Sequence, residues 1–241
     1  MELFGKNAVQ ERLRVNPASV RKIICAASAR PAPIEATARQ RQVTCVYLAD
    51  ELFQQRARGR HTQGIIAEIA DFVYTDAQEI LAAPAAQKRA IVALSGITDP
   101  QNFGSIIRTL ACYGDFAVVI PQHRSVPVNE TVLKVACGGE NYVPVCQVKN
   151  LIPFLQAAKK AGYWIVGTVP ASGENICSFS FPWPLCVVIG SEGEGIRRGV
   201  AQTLDARIFI PMAGGALSLN AAVACAVVGY EAVRQRSQRK N

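Results

Sequence analysis

Three short segments near the end of the chain decide the fold: Val187-Val-Ile-Gly-Ser-Glu-Gly-Glu-Gly-Ile196, Ile208-Phe-Ile-Pro-Met212 and Ser218-Leu-Asn220. The first two begin as apolar β-type runs and end in loops rich in glycine or small residues, and a helical pattern follows each loop. A strand followed by a loop and a helix presents backbone N–H and C=O groups at the carboxyl end of a sheet. These segments therefore predict a binding site for a small molecule.

The remaining sequence alternates between strand and helix patterns. Runs rich in valine and isoleucine, such as 91–95, 117–120 and 164–168, are separated by segments with helical spacing. Strands of this composition are typical of a sheet that is buried on both faces. The alternation predicts an α/β fold with a mostly parallel sheet and helices on both sides.

The chain is expected to contain two folded units. Residues 1–72 have the pattern of a small α/β domain, and residues 89–241 carry the alternating pattern of the larger one. Between them, Ala82-Ala-Pro-Ala-Ala-Gln-Lys88 is short of large apolar residues and contains proline. We therefore assign residues 73–88 to a linker.

The composition favours a cytoplasmic protein with an anionic partner. The 241 residues carry a net charge of +8, which suits nucleic acid, although a solvated basic surface would produce the same surplus. The eight cysteines have no C-x-x-C spacing and only two histidines are present, so we expect free thiols and no metal site. The apolar runs are too short to cross a membrane, and the N-terminus has no apolar signal core.

The loop Gly190–Gly195 does not match the common nucleotide-binding loops. No Gly-Lys-Ser/Thr follows it, and its glycine spacing differs from G-x-G-x-x-G. Its carboxylates, Glu192 and Glu194, would repel a pyrophosphate but would tolerate a neutral or cationic ligand. A tight turn between strand and helix is the simpler alternative, although the three glycines exceed what such a turn needs.

Two further polar groups are candidates for chemistry. In Asp99-Pro-Gln-Asn-Phe-Gly-Ser-Ile-Ile-Arg-Thr109, Asn102 is expected to cap a helix from which Arg108 projects. A cap and a surface arginine would be the purely structural alternative. Ser218 or Asn220 can cap the long apolar helix that follows them, and capping alone would also explain these residues.

Taken together, the three motifs resemble those of the SpoU family of RNA ribose 2′-O-methyltransferases, a branch of the SPOUT superfamily. Asn102-x-Gly104-x-x-x-Arg108-Thr109 is similar to the first family motif, and Ile189-Gly-Ser-Glu-Gly-x-Gly195 to the second. Ile210-Pro-Met212 with Ser218-Leu-Asn220 is similar to the third. The resemblance covers essentially the whole chain. Outside the motifs, segments such as Arg124–Asn129 are similar to members that methylate a guanosine ribose in 23S ribosomal RNA.

The resemblance implies a C-terminal SPOUT fold with a deep trefoil knot, preceded by a small RNA-binding domain. It also implies a homodimer and S-adenosylmethionine as the cofactor. The residues expected to hold that cofactor are Ile189, Gly190, Ile210, Pro211, Met212 and Leu219. The residues expected to act in catalysis are Asn102, Arg108, Glu192, Ser218 and Asn220.

The implied reaction is methylation of a ribose 2′-OH, with a guanosine of 23S ribosomal RNA as the expected target. The same reaction on transfer RNA is an alternative that the N-terminal unit disfavours, because the family's tRNA enzymes usually carry helical extensions instead. A catalytically inactive RNA-binding member is a second alternative, which the intact motif residues disfavour. The family's proposals make the residue matching Arg108 a base, but arginine keeps its proton at any ordinary pH. We expect Arg108 to stabilise a developing alkoxide or to bind the adjacent phosphate.

Overall fold

The computed structural model describes residues 1–82, 89–214 and 218–239. The strands of these residues form two sheets, one of four strands and one of seven. The predicted α/β class is confirmed, and all strand pairs of the larger sheet are parallel. No helix in the described ranges is long and apolar enough to span a bilayer.

The N-terminal sheet is mixed. Its elements are β1 (Glu2–Phe4), α1 (Lys6–Val15), β2 (Val20–Ala26), α2 (Ala32–Gln40), β3 (Cys45–Leu48), α3 (Asp50–Ala57) and β4 (Ile65–Ile69). The strand order is β1-β4-β2-β3, in which only the pair of β2 with β3 is parallel. Four of the five residues of β4 are buried, so this strand is covered on both faces.

The C-terminal part supplies the parallel sheet. Its elements are α4 (Ala77–Ala82), β5 (Ala90–Ser95), α5 (Pro100–Tyr113), β6 (Phe116–Pro121), α6 (Glu130–Ala136), β7 (Val145–Val148), α7 (Leu151–Lys160), β8 (Trp164–Thr168), β9 (Glu174–Asn175), β10 (Leu185–Gly190), α8 (Arg198–Ala201), β11 (Ala206–Phe209) and α9 (Ala221–Arg239). The strand order is β7-β6-β5-β10-β8-β11-β9.

The order of the strands brings two distant segments together. β10 lies between β5 and β8, and Gly190 at the end of β10 pairs with Ser95 at the end of β5. Because the two strands are parallel, the loops that follow them leave the same edge of the sheet. This edge is where the glycine loop and the first motif were expected to act.

The parallel strands are apolar on both faces. Ile91 and Val188 pack with α4 and α7, while their chain neighbours Val92 and Val187 pack in the cluster that contains residues of α5, α6 and α9. Successive side chains of a strand point to opposite faces, so a strand between two helical layers must be apolar throughout. This explains why the apolar residues of these strands follow one another in the sequence instead of alternating with polar residues.

Three strands are missing from the sequence-based assignment, namely β1, β7 and β9. They have three, four and two residues, which is too short for a periodic pattern, and they exist because a neighbouring strand pairs with them. Part of the expected linker, residues 77–82, is helical, and its Ile80 is buried against the larger sheet. The rest of that linker from residue 83 lies outside the described residues, and the boundaries 1–72, 73–88 and 89–241 stay a prediction.

A buried ion pair joins α1 to the short 3-10 helix Gly139–Asn141, which lies between α6 and β7 in the chain. Arg12 Nη2 on α1 lies 2.8 Å from Glu140 Oε1, and the two side chains are 8% and 0% exposed. Burial raises the pKa of Glu140, while the charge of Arg12 opposes that shift. A partly exposed contact lies nearby, where Arg60 Nη1 is 3.2 Å from Glu130 Oε2 at the start of α6. We call these two pairs the junction.

Two of the three arginines in the basic run Arg56–His61 are paired with acidic side chains. Arg56 lies 2.7 Å from Glu2 and 2.6 Å from Glu68, and Arg60 lies 2.8 Å from Glu2. The acidic partners come from β1 and β4, so the sequence around the run gives no sign of them. Arg58 and His61 are the basic members of the run that are exposed to solvent.

Candidate active site

The glycine loop after β10 is closed on itself by its backbone. Ser191 and Gly195 form an antiparallel bridge, in which the Ser191 N–H donates at 3.2 Å and the Gly195 N–H at 2.9 Å. The Ser191 hydroxyl accepts from the Glu194 N–H at 3.3 Å. These bonds hold the loop without using the side chains of Glu192 or Glu194.

Gly190 must be glycine because the loop folds back over it. A Cβ at this position would lie 2.3 Å from the carbonyl carbon of Gly195, and that backbone is itself held by the bridge. Gly195 has a φ of +63°, in the left-handed region that glycine adopts without strain. Gly193 has open space around it. Close backbone approach therefore explains Gly190, and the left-handed conformation explains Gly195.

A cavity of about 410 Å³ lies between this loop and the segment that precedes α9. Its volume is within the range of sites for small molecules and cofactors. Five of the six residues predicted to hold the cofactor line it: Ile189, Gly190, Ile210, Met212 and Leu219. Pro211 is not among the lining residues and is exposed to solvent. In the chain segment Ile210–Met212, the side chains on either side of Pro211 are the ones that reach the cavity.

The cavity combines an apolar wall with a few charges. Glu192 and Glu194 line one side, and Arg207 from β11 is the cationic residue of the described lining. Thr168 also lines the cavity, and its hydroxyl donates to the Val188 carbonyl at 3.2 Å. Neither Thr168 nor Arg207 was predicted, because their proximity depends on β8 lying beside both β10 and β11. In the sequence, Thr168 ends one predicted strand and Arg207 directly precedes another, and these positions were the available signal for the two residues.

Three residues predicted to be catalytic form one hydrogen-bonded network. Asn102 Nδ2 donates to Glu192 Oε1 at 3.0 Å, and Asn220 Nδ2 donates to the same oxygen at 2.7 Å. Asn220 Nδ2 also lies 2.8 Å from Asn102 Oδ1. Residues from three separate motifs therefore meet at a single carboxylate oxygen. We call these three residues the amide–carboxylate network.

The helix caps differ in part from the sequence-based assignment. Asp99, rather than Asn102, caps α5, and its carboxylate accepts from the N–H groups of Gln101 at 3.0 Å and Asn102 at 3.3 Å. Asn102 lies one turn further along, and its amide is free to join the network. Asn220 caps α9 as expected, accepting from the Ala222 N–H at 2.8 Å. It therefore both caps a helix and binds Glu192.

The other two predicted catalytic residues lie apart from the network. Arg108 is exposed on α5, and within residues 1–82, 89–214 and 218–239 it has no hydrogen bond or ion pair. Its Cα lies 3.1 Å from the point that a Cβ on Gly139 would occupy, so α5 packs closely there. Ser218 lines the cavity and is exposed. The structure thus joins Asn102, Glu192 and Asn220, and leaves Arg108 facing solvent.

Comparison with known protein families adds to this geometry. A model of the SpoU rRNA Methylase family matches residues 89–230, and a model described as RNA 2′-O ribose methyltransferase substrate binding matches residues 3–75. The chain belongs to the SpoU family. The first match covers more than half of the chain and contains all eleven site residues predicted from the sequence.

Individual relatives support the same assignment. The chain is 37% identical over 201 residues to the 23S rRNA (guanosine-2′-O-)-methyltransferase RlmB of Vibrio parahaemolyticus, covering 82% of this chain and 81% of the relative. It is 33% identical over 240 residues to the putative TrmH family tRNA/rRNA methyltransferase YacO of Bacillus subtilis, covering 98% and 96%. The second alignment covers almost the whole SpoU chain and therefore includes both sheets.

A solved structure confirms the fold. The SpoU methyltransferase AviRb from Streptomyces viridochromogenes, solved in complex with the cofactor AdoMet, superposes with a TM-score of 0.81 at 23% identity, covering 99% of this chain and 91% of that one. The predicted fold class is thereby confirmed, while the trefoil knot stays a prediction. Membership of the SpoU family confirms an RNA 2′-O-methyltransferase that uses S-adenosylmethionine.

Proposed function

We propose that the chain methylates the 2′-OH of a guanosine ribose in 23S ribosomal RNA, with S-adenosylmethionine as the methyl donor. The observation that carries this proposal is that Glu192 belongs both to the cavity and to the amide–carboxylate network. A cofactor in the cavity and a nucleotide at the network would then meet at one residue. The net charge of +8 suits the polyanionic substrate.

The choice of ribosomal RNA rests on the relatives and on the N-terminal part. The relative named as a 23S rRNA methyltransferase matches most of the chain, and the substrate-binding model matches residues 3–75. Transfer RNA is the alternative, since the relative YacO is named for both kinds of RNA. An inactive RNA-binding member is disfavoured because Asn102, Glu192 and Asn220 are not only present but hydrogen-bonded to one another.

The cavity suits S-adenosylmethionine by size and by charge. Ile189, Ile210 and Leu219 supply an apolar wall, and the absence of a Cβ at Gly190 allows the loop to close beside the ligand. The carboxylates of Glu192 and Glu194 are compatible with the positive charge of a sulfonium and unfavourable for a pyrophosphate. When bound there, the cofactor would supply the electrophilic methyl group.

The chain's own residues would position and activate the ribose. Asn102 and Asn220 hold the Glu192 carboxylate in one orientation, which fixes the polar wall of the cleft. Ser218 lies at the cavity wall with its hydroxyl available to a substrate. Arg108, which has no partner in the described ranges, would stabilise the negative charge that develops on the ribose oxygen as its proton passes to solvent water. Preorganised charge at that oxygen acts without any need for arginine to lose its proton.

Ribose methylation in cells tests the reaction and its target together. Ribosomal and transfer RNA would be mapped for 2′-O-methyl groups in cells with and without this gene, and in gene-deleted cells that express the Arg108→Gln variant. We expect one guanosine mark in 23S ribosomal RNA to disappear on deletion and to stay nearly absent with the variant. Loss of a tRNA mark instead would transfer the activity to tRNA, and no loss of any mark would overturn the proposal.

We also propose a homodimer in which α9 packs against a second copy. Val223, Val227 and Tyr230 project from α9 and are 48%, 37% and 59% exposed, whereas Cys225 and Val228 on its other face are buried. Tyr113 and Ile176 extend the exposed apolar face into a groove. A patch of this kind is typical of an interface between subunits. Light scattering of Val227→Asp beside the unaltered chain tests it, since a charge in the interface should yield monomers.

Two further features follow from the same family assignment. We propose that the segment containing β10 and β11 forms the trefoil knot, in keeping with the position of β10 between β5 and β8. We propose a cytoplasmic location, in which the eight free cysteines would remain reduced. Burial raises the pKa of Cys186 and Cys225, so these thiols would be unreactive there.

A further inference from the structure

Arg197 is a cation at the edge of the cleft that the roles proposed above leave unassigned. It follows the glycine loop, and its Nε lies 3.5 Å from Glu194 Oε2. This is a long contact, and the Glu194 side chain is 71% exposed, so solvent weakens the pair. Within the three described ranges, the guanidinium donates no hydrogen bond that meets normal geometry. Its donors are therefore available to a ligand.

The guanidinium lies where the ends of three strands meet. Arg197 Nη2 is 3.7 Å from the position that a Cβ on Gly96 would occupy, just beyond β5. The Cβ position on Gly96 is also 3.7 Å from Cβ of Ser191 after β10 and 3.9 Å from the carbonyl oxygen of Arg124 after β6. Ser191 and Glu194 both line the cavity. Arg197 is thus close to the mouth of the site without being part of its lining.

The substrate proposed above brings a negative charge to this edge. A ribose 2′-OH is adjacent to the 3′-phosphate of its own nucleotide, so a phosphodiester must approach the cleft with it. The glycine loop already carries Glu192 and Glu194, which would repel that phosphate. Arginine offers N–H donors in a planar fork that matches phosphate oxygens. Contacts of this kind position a nucleic acid and do not read its sequence.

We infer that Arg197 binds the backbone phosphate beside the target ribose, replacing its weak contact with Glu194. Arg197 is in this sense a positioning residue, whereas Arg108 acts on the reacting oxygen. The inference rests on the proposed methylation of RNA. It requires that loss of Arg197 weakens RNA binding more than it slows methyl transfer within the bound complex.

Steady-state kinetics of three variants test this role. Arg197→Gln removes the charge, Arg197→Lys keeps a charge without the fork, and Arg198→Gln is the matched control, because Arg198 is exposed and adjacent in the chain. For Arg197→Gln we expect the KM for RNA to rise roughly tenfold while kcat changes by less than about twofold. The slope of log affinity against log salt should fall by about 0.7 to 0.9, as for the loss of one phosphate contact.

The control variants distinguish a wrong role for Arg197 from a wrong function for the whole chain. Arg197→Lys should retain the salt slope with an intermediate KM, Arg198→Gln should match the unaltered chain, and all variants should bind S-adenosylmethionine equally by calorimetry. If Arg197→Gln matches Arg198→Gln in KM and salt slope, or affects cofactor binding instead, the role of Arg197 is overturned while the methyltransferase proposal stands. An unaltered chain that methylates no RNA would overturn both.

Discussion

The junction and the amide–carboxylate network use similar side chains in opposite ways. At the junction, Arg12 and Glu140 are buried and paired at 2.8 Å. In the cleft, Glu192 accepts two amide hydrogen bonds but has no cation among its described partners. Arg108, which lies on the same helix as Asn102, is exposed and unpaired in those ranges. The charged residues that stabilise the fold, Arg12 and Glu140, are paired with each other. Arg108, which is available to substrate, has no partner in the described ranges.

Helix α6 links the two regions. α6 contacts both α1 and β1 of the N-terminal part, and on its other side it packs against α5. That second contact is close, since a Cβ on Gly104 would lie 2.8 Å from the Val132 carbonyl oxygen. The N-terminal part is therefore attached to the helix that supports Asn102 and Arg108. The difference between the regions indicates that changes at the junction should alter stability, and changes in the cleft should alter activity.

The largest effect is expected from Glu140→Ala at the junction. Removing the carboxylate leaves Arg12 charged and buried, which should lower the free energy of unfolding by about 3 to 5 kcal/mol. Denaturant unfolding measures this directly. The control is the double variant Arg12→Met with Glu140→Leu, which leaves no buried charge and should recover most of the loss. A single variant as stable as the unaltered chain would remove the proposed distinction between the two regions.

Arg108→Gln should have the largest effect in the cleft. Loss of the positive charge should slow methyl transfer on the order of a hundredfold, equivalent to about 2.7 kcal/mol of transition-state stabilisation. Because Arg108 has no partner in the described ranges, the free energy of unfolding should not change. Single-turnover kinetics on RNA with saturating cofactor provide the rate. Near-normal transfer with intact RNA binding would exclude Arg108 from catalysis.

Gly190→Ala should disturb cofactor binding through the backbone. The added Cβ would lie 2.3 Å from the Gly195 carbonyl carbon, so the closed loop must shift. We expect the affinity for S-adenosylmethionine to fall about tenfold, or roughly 1.4 kcal/mol, by calorimetry. Gly193→Ala is the matched control, because its Cβ would meet no atom within 4 Å. Equal affinities in the two variants would place the cofactor elsewhere.

The smallest effect is expected from Glu130→Gln, which removes the exposed ion pair of the junction. The side chains of Arg60 and Glu130 are 31% and 38% exposed, so water already solvates both charges. We expect the free energy of unfolding to fall by about 0.5 kcal/mol. Repeating the measurement at high salt should erase the difference. A loss comparable with that of Glu140→Ala would show that burial does not determine which junction contact matters.

Local patterns in the sequence were sufficient for much of the fold and for part of the site. Continuous apolar runs identified β5, β6, β8 and β10, because strands buried on both faces must be apolar throughout. The cap at Asn220 was also visible, since capping depends on a few neighbouring residues. The cap of α5 was assigned to Asn102 instead of Asp99, because both residue types favour that position.

The sequence by itself supplied the candidate side chains of the three motifs and, through the spacing of those motifs, the family to which the chain belongs. Only the tertiary structure decided which of them meet. Asn102, Glu192 and Asn220 are brought to one oxygen because β10 lies beside β5 and α9 packs on α5. Likewise, the pairing of Arg56 with Glu2 and Glu68 depends on the order of the N-terminal strands. Periodicity and capping act between near neighbours in the chain, whereas these contacts depend on the order in which distant strands assemble.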